Sequence, residues 1–208
     1  MVKHKGRIGL VRHGQTYANI DRVWHGFTDT ELTEQGHDQA RRLGEHFHNY
    51  MRPDVIYASP LQRARITAQS IGDKFQVPVI LDARLKEFNL GDWEGQSFES
   101  LTEGEDILAQ LVSNPDFTAP QGESQNLVRK RIVAAIDEIV HKHPQDNIVI
   151  VAHGVAIAIA LSHFIDGDTR QWPNYSKSNT AFSELCLNTN KLLSYNLTDH
   201  LAGDDHLG

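Results

Sequence analysis

The stretch IGLVRHGQTYAN, residues 8 to 19, runs as an apolar segment and then breaks into Arg12, His13 and Gly14. An apolar run that does not alternate with polar residues suits a strand covered on both faces, as in a parallel sheet flanked by helices. The pattern recurs in VIYA (55–58), VPVIL (77–81) and IVIVA (148–152), with helix-like stretches between. That alternation predicts a three-layer α/β/α sandwich on a mostly parallel mixed sheet. Near the end, TAFSELCL and KLLSYNL flank Asn188-Thr189-Asn190 and read as an antiparallel hairpin at one side of the sheet.

Between Thr33 and Tyr50, residues Ala40, Leu43, Phe47 and Tyr50 recur at helical spacing and mark one apolar face. Ser59-Pro60-Leu61-Gln62 reads as a helix start, with Ser59 as N-cap and Gln62 closing a capping box, and the helix reaches about Phe75. A further helix from Glu123 to about His143 turns Val128, Ile132, Ala135, Ile136 and Ile139 inward, and Pro144 follows its end. The nearly all-apolar run Gly154 to Ile165 predicts a buried helix. Residues 88–122 carry Pro115, Pro120 and several glycines with little periodicity. The expected organisation is therefore one domain, 1–208, with a cap-like insertion at about 88–122.

The chain has 208 residues and a formal net charge of -7, with no block of Lys or Arg. Nucleic acid and anionic membrane surfaces select for clustered positive charge, so neither is the expected partner. A small soluble ligand fits better. Cys186 is the one cysteine and forms no internal disulfide, and MVKHKGR leads into a segment unlike a signal peptide. The expected location is cytoplasmic.

In open α/β sheets, ligands bind outside the carboxyl ends of the strands. The strand 8–11 ends in Arg12 and His13, 55–58 leads to Arg63, 79–85 leads to Glu87, and 148–152 ends in His153. Two guanidiniums and two imidazoles packed together repel one another unless an anion neutralises them. Phosphate matches in charge and in the two-pronged geometry of arginine. Helices starting after Gly14, Ser59 and His153 add backbone N–H donors, and Gly14 and Gly154 allow a sharp turn and a close approach. An imidazole held neutral beside cations is a nucleophile toward phosphorus. Glu87, protonated through burial or the phosphate's charge, gives its proton to the leaving alkoxide and then takes one from water. These parts call for no metal and no cofactor.

RHGQTYAN, GFTDTELTEQG, ASPLQRARITA, LKEFNLGDWEG, PQGES and VAHG resemble the successive motifs of the histidine phosphatase superfamily, in its phosphoglycerate mutase-like branch. They follow the family's order from residue 8 to residue 154. The resemblance implies that His13 becomes phosphohistidine, and that Arg12, Arg63 and His153 bind the phosphoryl group and stabilise its transition state. It makes Glu87 the proton donor and Asn19 a residue that contacts phosphate. His25 stands where related phosphatases often carry a glutamine, and Gln15 where glutamate is common. The site residues expected to touch substrate are then Arg12, Asn19, His25, Arg63 and Gly154. Relatives often pair, which makes a homodimer the expected assembly.

Phe88 follows Glu87 where cofactor-dependent mutases carry an arginine, and an apolar side chain beside the site favours substrates with an apolar or varied leaving group, and so a hydrolase acting on a small phosphorylated metabolite. A mutase-type phosphotransferase remains the alternative, and a non-catalytic phospho-ligand binder is a third reading. The pairs His46 and His48, and His141 and His143, have a spacing metals use, but residues two apart on a helix point away from each other. Trp24 and Trp93 suit either the pocket mouth or ordinary packing. Glu123 and Ser124 sit at a helix start and serve its N–H groups, with a contact to the pocket left open.

Overall fold

The computed structural model describes residues 6–97, 99–100, 107–175 and 177–202. The N-terminal residues 1–5, read above as no signal peptide, lie outside the described residues, as do residues 98 and 101–106 of the expected insertion. Six strands form one mixed sheet: β1 (Ile8–Arg12), β2 (Val55–Ala58), β3 (Val79–Leu81), β4 (Ile148–Ala152), β5 (Phe182–Cys186) and β6 (Lys191–Leu197), in the order β3-β2-β4-β1-β5-β6. The first four run parallel, and β5 and β6 pair antiparallel at one side as the hairpin predicted.

The helices are α1 (Tyr17–Ile20), α2 (Glu34–His46), α3 (Gln62–Phe75), α4 (Ile107–Ser113), α5 (Gln125–Lys142) and α6 (Gly154–Asp166). They cover both faces of the sheet. Ile8, Leu10, Ile148 and Ile150 meet Val128, Ile132 and Ile136 of α5 and Ile157 of α6 on one face. Val11, Ile56, Val149 and Val151 meet Leu43, Ala64, Ala68 and Ile71 of α2 and α3 on the other. Side chains alternate between faces along a strand, so a strand buried on both sides needs an unbroken apolar run. Each aliphatic side chain so buried contributes about 1.5–3 kcal/mol.

β3 departs from that reading: Ile80 is 41% and Leu81 48% exposed. It is an edge strand, and only three residues long after Pro78. The first helical position after Ser59 also differs, because α3 starts at Gln62 with Leu61 as its cap residue and no side-chain cap. Ser59 accepts a hydrogen bond from Leu61 N–H but turns to another partner described below. The β1–β4 register pairs Arg12 with Ala152, and the β2–β4 register pairs Ala58 with Val151. His13, Ser59 and His153 therefore leave the sheet at one edge, side by side.

Candidate active site

At that edge, one cavity of about 520 Å³ is lined by Arg12, His13, Asn19, His25, Arg63, Glu87 and Gly154 among others. Seven of the eight expected residues thus share a single wall system. The eighth, His153, is fully buried just behind it, with its ring centre 5.2 Å from that of His13.

His13 follows β1 and its backbone N–H still bonds to Ala152 across the sheet. Its Nδ1 lies 2.7 Å from the carbonyl oxygen of Gly14. A carbonyl only accepts, so Nδ1 carries the proton and Nε2 keeps a lone pair. Burial, then the charges of Arg63 and Arg12, hold this imidazole well below its usual range of protonation. The ring is therefore neutral, oriented and nucleophilic.

Arg63 comes from the first turn of α3 and is 2% exposed. Its Nε donates to Nδ1 of His153 at 3.2 Å, Nη1 to the Thr28 carbonyl at 3.0 Å and Nη2 to the Gly26 carbonyl at 2.8 Å. The loop that supplies these carbonyls is itself fastened by Glu94, whose carboxylate accepts the N–H groups of Phe27 and Thr28, each at 2.7 Å. Because Arg63 Nε only donates, His153 Nδ1 accepts, and its Nε2–H points to Ser59 Oγ at 2.8 Å. Burial, then Arg63, lowers the His153 pKa strongly, so this ring leaves the guanidinium charge for an anion. Ser59, expected as a helix cap, holds the second imidazole instead.

Arg12 donates through Nη1 to the carbonyl of Lys177, while its buried Nε has no partner among the described residues. The Nδ1 of His25 is a second buried polar atom without a partner, and both residues line the cavity. Asn19 Oδ1 accepts from Thr16 N–H at 3.1 Å and from Asn179 Nδ2 at 3.2 Å, which fixes its amide at the wall. Gln15 bonds to Thr33 at 2.8 Å and so orients α2's first turn.

Glu87 is 7% exposed. Its Oε1 accepts from Phe88 N–H at 2.9 Å and Ala156 N–H at 2.8 Å, and its Oε2 from Val155 N–H at 3.1 Å. Oε2 thus has one backbone donor to Oε1's two. These bonds correct the expected use of helix N-termini. The start of α6 serves Glu87, the start of α3 serves Asp29 through Gln62 N–H at 2.9 Å, and α1 is a single turn capped by Thr16. The N–H groups at these helix starts are therefore engaged by Glu87, Asp29 and Thr16.

The two glycines also act otherwise than expected, since neither has a positive φ. A Cβ at Gly14 would lie 2.6 Å from the Gly36 carbonyl oxygen, and one at Gly154 would lie 3.4 Å from Arg12 Nε. Gly14 admits the close approach of α2, whereas a Cβ at Gly154 would meet Arg12 only at ordinary contact distance. Phe88 is fully buried and packs edge-on to Trp24, with ring centres 6.4 Å apart. It is not a cavity residue, so it does not bear on the leaving group as the sequence suggested. Trp24 lines the cavity, whereas Trp93 packs against Phe117.

Sequence reasoning missed the brace behind Glu87. Arg131 donates to the carbonyls of Arg84, Lys86 and Glu87 at 2.8, 2.6 and 2.6 Å, and pairs with Glu123 at 2.8 Å. Glu123 in turn accepts the Asn89 N–H at 3.0 Å. It also missed the wall formed by Trp172, Pro173, Tyr175 and Lys177. Among the described residues, no group of three or more His, Cys, Asp or Glu converges as a metal site would, and none of the helices is long and apolar enough to cross a membrane.

Comparison with known proteins adds four observations. The family model of the histidine phosphatase superfamily (branch 1) matches residues 8–198. The chain is 31% identical over 198 residues to the "Uncharacterized phosphatase PhoE" of Bacillus subtilis, covering 93% of this chain and 96% of the relative. It is 34% identical over 158 residues to the "Probable phosphoglycerate mutase GpmB" of Erwinia tasmaniensis, covering 75% of this chain and 73% of the relative. Among solved structures, the phosphoserine phosphatase of Entamoeba histolytica in complex with 3-phosphoglyceric acid superposes with a TM-score of 0.85 at 30% identity, covering 94% of this chain and 99% of that one.

Proposed function

The chain belongs to the histidine phosphatase superfamily, and from that premise we propose that it hydrolyses small phosphomonoesters through a phosphohistidine at His13, without a metal. The orientation of His13 carries the reading. Its Nδ1 is committed to Gly14, so the Nε2 lone pair is the one available to phosphorus.

In the first step Nε2 of His13 attacks phosphorus, and the bond from phosphorus to the ester oxygen breaks. Glu87 gives its proton to the departing alkoxide, which leaves as the alcohol. In the second step the Glu87 carboxylate takes a proton from water as the water oxygen attacks phosphorus. The P–N bond breaks, inorganic phosphate leaves, and His13 returns to its neutral form. Arg12 and Arg63 stabilise the charge on the phosphoryl oxygens, with the unpartnered Arg12 Nε and the His25 imidazole as further donors. His153 acts through Arg63, whose Nε it receives. Asn19 and Gly154 shape the phosphoryl pocket beside them.

The relatives include proteins named phosphatases and proteins named as a mutase, so product analysis is the discriminating experiment. Incubated with 3-phosphoglycerate, the protein is expected to release inorganic phosphate. Conversion to 2-phosphoglycerate without phosphate release would make it a mutase. Tight phosphate binding with neither reaction on any ester would leave a binding protein. A cytoplasmic location and a homodimer complete the reading, supported by the single cysteine Cys186 and by the resemblance to paired relatives.

A further inference from the structure

His13 and its neighbours rest on the segment 177–181. The carbonyl of Lys177 accepts the Arg12 guanidinium, and that of Ala181 accepts the Arg12 N–H at 3.3 Å. The Thr180 N–H and the Asn179 side-chain amide donate to the His13 carbonyl at 3.2 and 3.1 Å, and the same amide reaches Asn19 at 3.2 Å. Arg12, His13 and Asn19 thus take their places from one short stretch. Its backbone is held where its own residues do not favour it. Thr180 has a φ of 56°, a left-handed conformation in which the branched Cβ of threonine crowds the backbone. Such strain persists only where surrounding contacts over-determine it.

A contact of that kind reaches Thr180 from outside the cavity. His200 belongs to the single helical turn Asp199–Leu201, which is fastened to α2 where Arg42 Nη2 donates to the Ala202 carbonyl at 3.1 Å. Its Nε2 lies 2.9 Å from Thr180 Oγ1 and its Nδ1 3.0 Å from the Tyr50 hydroxyl. The Thr180 hydroxyl donates to the Asn179 carbonyl at 2.7 Å. Oγ1 therefore accepts from His200 Nε2–H, and Nδ1 accepts from Tyr50 O–H. Tyr50, His200 and Thr180 are all buried, and none of the three lines the cavity. Burial, the largest influence on the ring, pushes its pKa down to about 4, which agrees with a neutral imidazole that accepts at one nitrogen and donates at the other.

We propose that His200 is a positioning residue for the nucleophile: its bond to Thr180 Oγ1 holds Thr180 in the left-handed conformation, and so keeps the Thr180 N–H and the Asn179 amide on the His13 carbonyl. His200 touches neither substrate nor His13, and it takes no proton in the reaction. It acts through Thr180 alone. The consequence is kinetic, because a nucleophile displaced by a fraction of an ångström loses its line of attack on phosphorus. This assignment rests on the phosphatase reading above.

The test measures kcat and KM on p-nitrophenyl phosphate and on an alkyl phosphate, at a temperature where circular dichroism shows each variant folded. His200→Leu fills the space and removes the donor. Its kcat is expected to fall about tenfold on both esters alike, with KM within about threefold. His200→Gln, whose amide N–H can take the place of Nε2–H, retains most of the wild-type kcat. Adding Thr180→Gly to His200→Leu recovers about threefold or more of the lost kcat, since glycine adopts a positive φ without support. Where His200→Leu does not fold, Thr180→Val, which removes the acceptor and keeps the branched shape, carries the same expected loss. A folded variant with unchanged kcat, or a double variant with no recovery, overturns the assignment of His200 and leaves the phosphatase reading in place. No hydrolysis of any ester by the wild type overturns both together.

Discussion

Ser59 Oγ lies 2.8 Å from Nε2 of His153, and both side chains are fully buried. Because His153 Nδ1 receives Arg63 Nε, the serine is the acceptor that keeps the ring in the tautomer Arg63 requires. Ser59→Ala leaves a buried N–H unsatisfied, which costs about 1–3 kcal/mol in stability. The expected kinetic effect is a roughly tenfold loss of kcat on p-nitrophenyl phosphate with KM little changed, and rescue by Ser59→Thr. A lowered melting temperature with kcat unchanged would reduce Ser59 to a packing residue.

Arg131 should govern the proton donor from behind. Its guanidinium fastens the carbonyls of Arg84, Lys86 and Glu87 while pairing with Glu123. Arg131→Met breaks a pair whose side chains are only 15% and 17% exposed, at a cost of about 2 kcal/mol or more. Misplacement of Glu87 then lowers kcat about tenfold on alkyl phosphates and far less on p-nitrophenyl phosphate. Equal loss on both esters would mean that Arg131 only supports the fold.

Glu87→Gln keeps the shape of the side chain but removes the exchangeable proton. Alkyl esters, whose alkoxides depart poorly, should lose on the order of 10²–10⁴ in kcat. Hydrolysis of p-nitrophenyl phosphate should lose much less in the first step, with phosphoenzyme hydrolysis then limiting the rate. A series of leaving groups measured on both proteins checks this, and a loss independent of leaving-group pKa would remove Glu87 from the role.

Acid should destabilise the free protein through its buried imidazoles. His13 and His153 are held well below 6.5, and His200 is pushed down to about 4, in each case chiefly by burial. Unfolded, each takes a proton near pH 6.5; folded, each stays neutral until the pH is far lower. Between those points the unfolded chain binds more protons, so stability is full above about pH 6.5 and falls below it. The slope approaches about 1.4 kcal/mol per pH unit for each of these imidazoles. Thermal melts from pH 8 to pH 5 should show that decline, and a flat profile would contradict the buried neutral rings.

The legible parts of this protein were those written in local pattern. IGLVR and IVIVA announced strands covered on both faces because every second side chain had to be apolar on each side. The charged residues at their ends marked the site because the parallel register brings those ends together. β3 misled for the complementary reason: VIL has a core composition, yet its place at the sheet edge is set by strand order. Ser59 looked like a cap because its neighbours fit that motif, while its actual partner, His153, lies 94 positions away. The Arg131–Glu123 brace and the Lys177 wall were equally hidden, since neither has a spacing that distinguishes it from a solvated charge.

The central claim is that His13 takes the phosphoryl group. Rapid mixing with ³²P-labelled substrate, quenched in alkaline detergent where a P–N bond survives, tests it most directly. The wild type should give an acid-labile, alkali-stable label that appears within a turnover, and His13→Ala should give none. Turnover by the wild type without any label, or a label of equal size in His13→Ala, would contradict it.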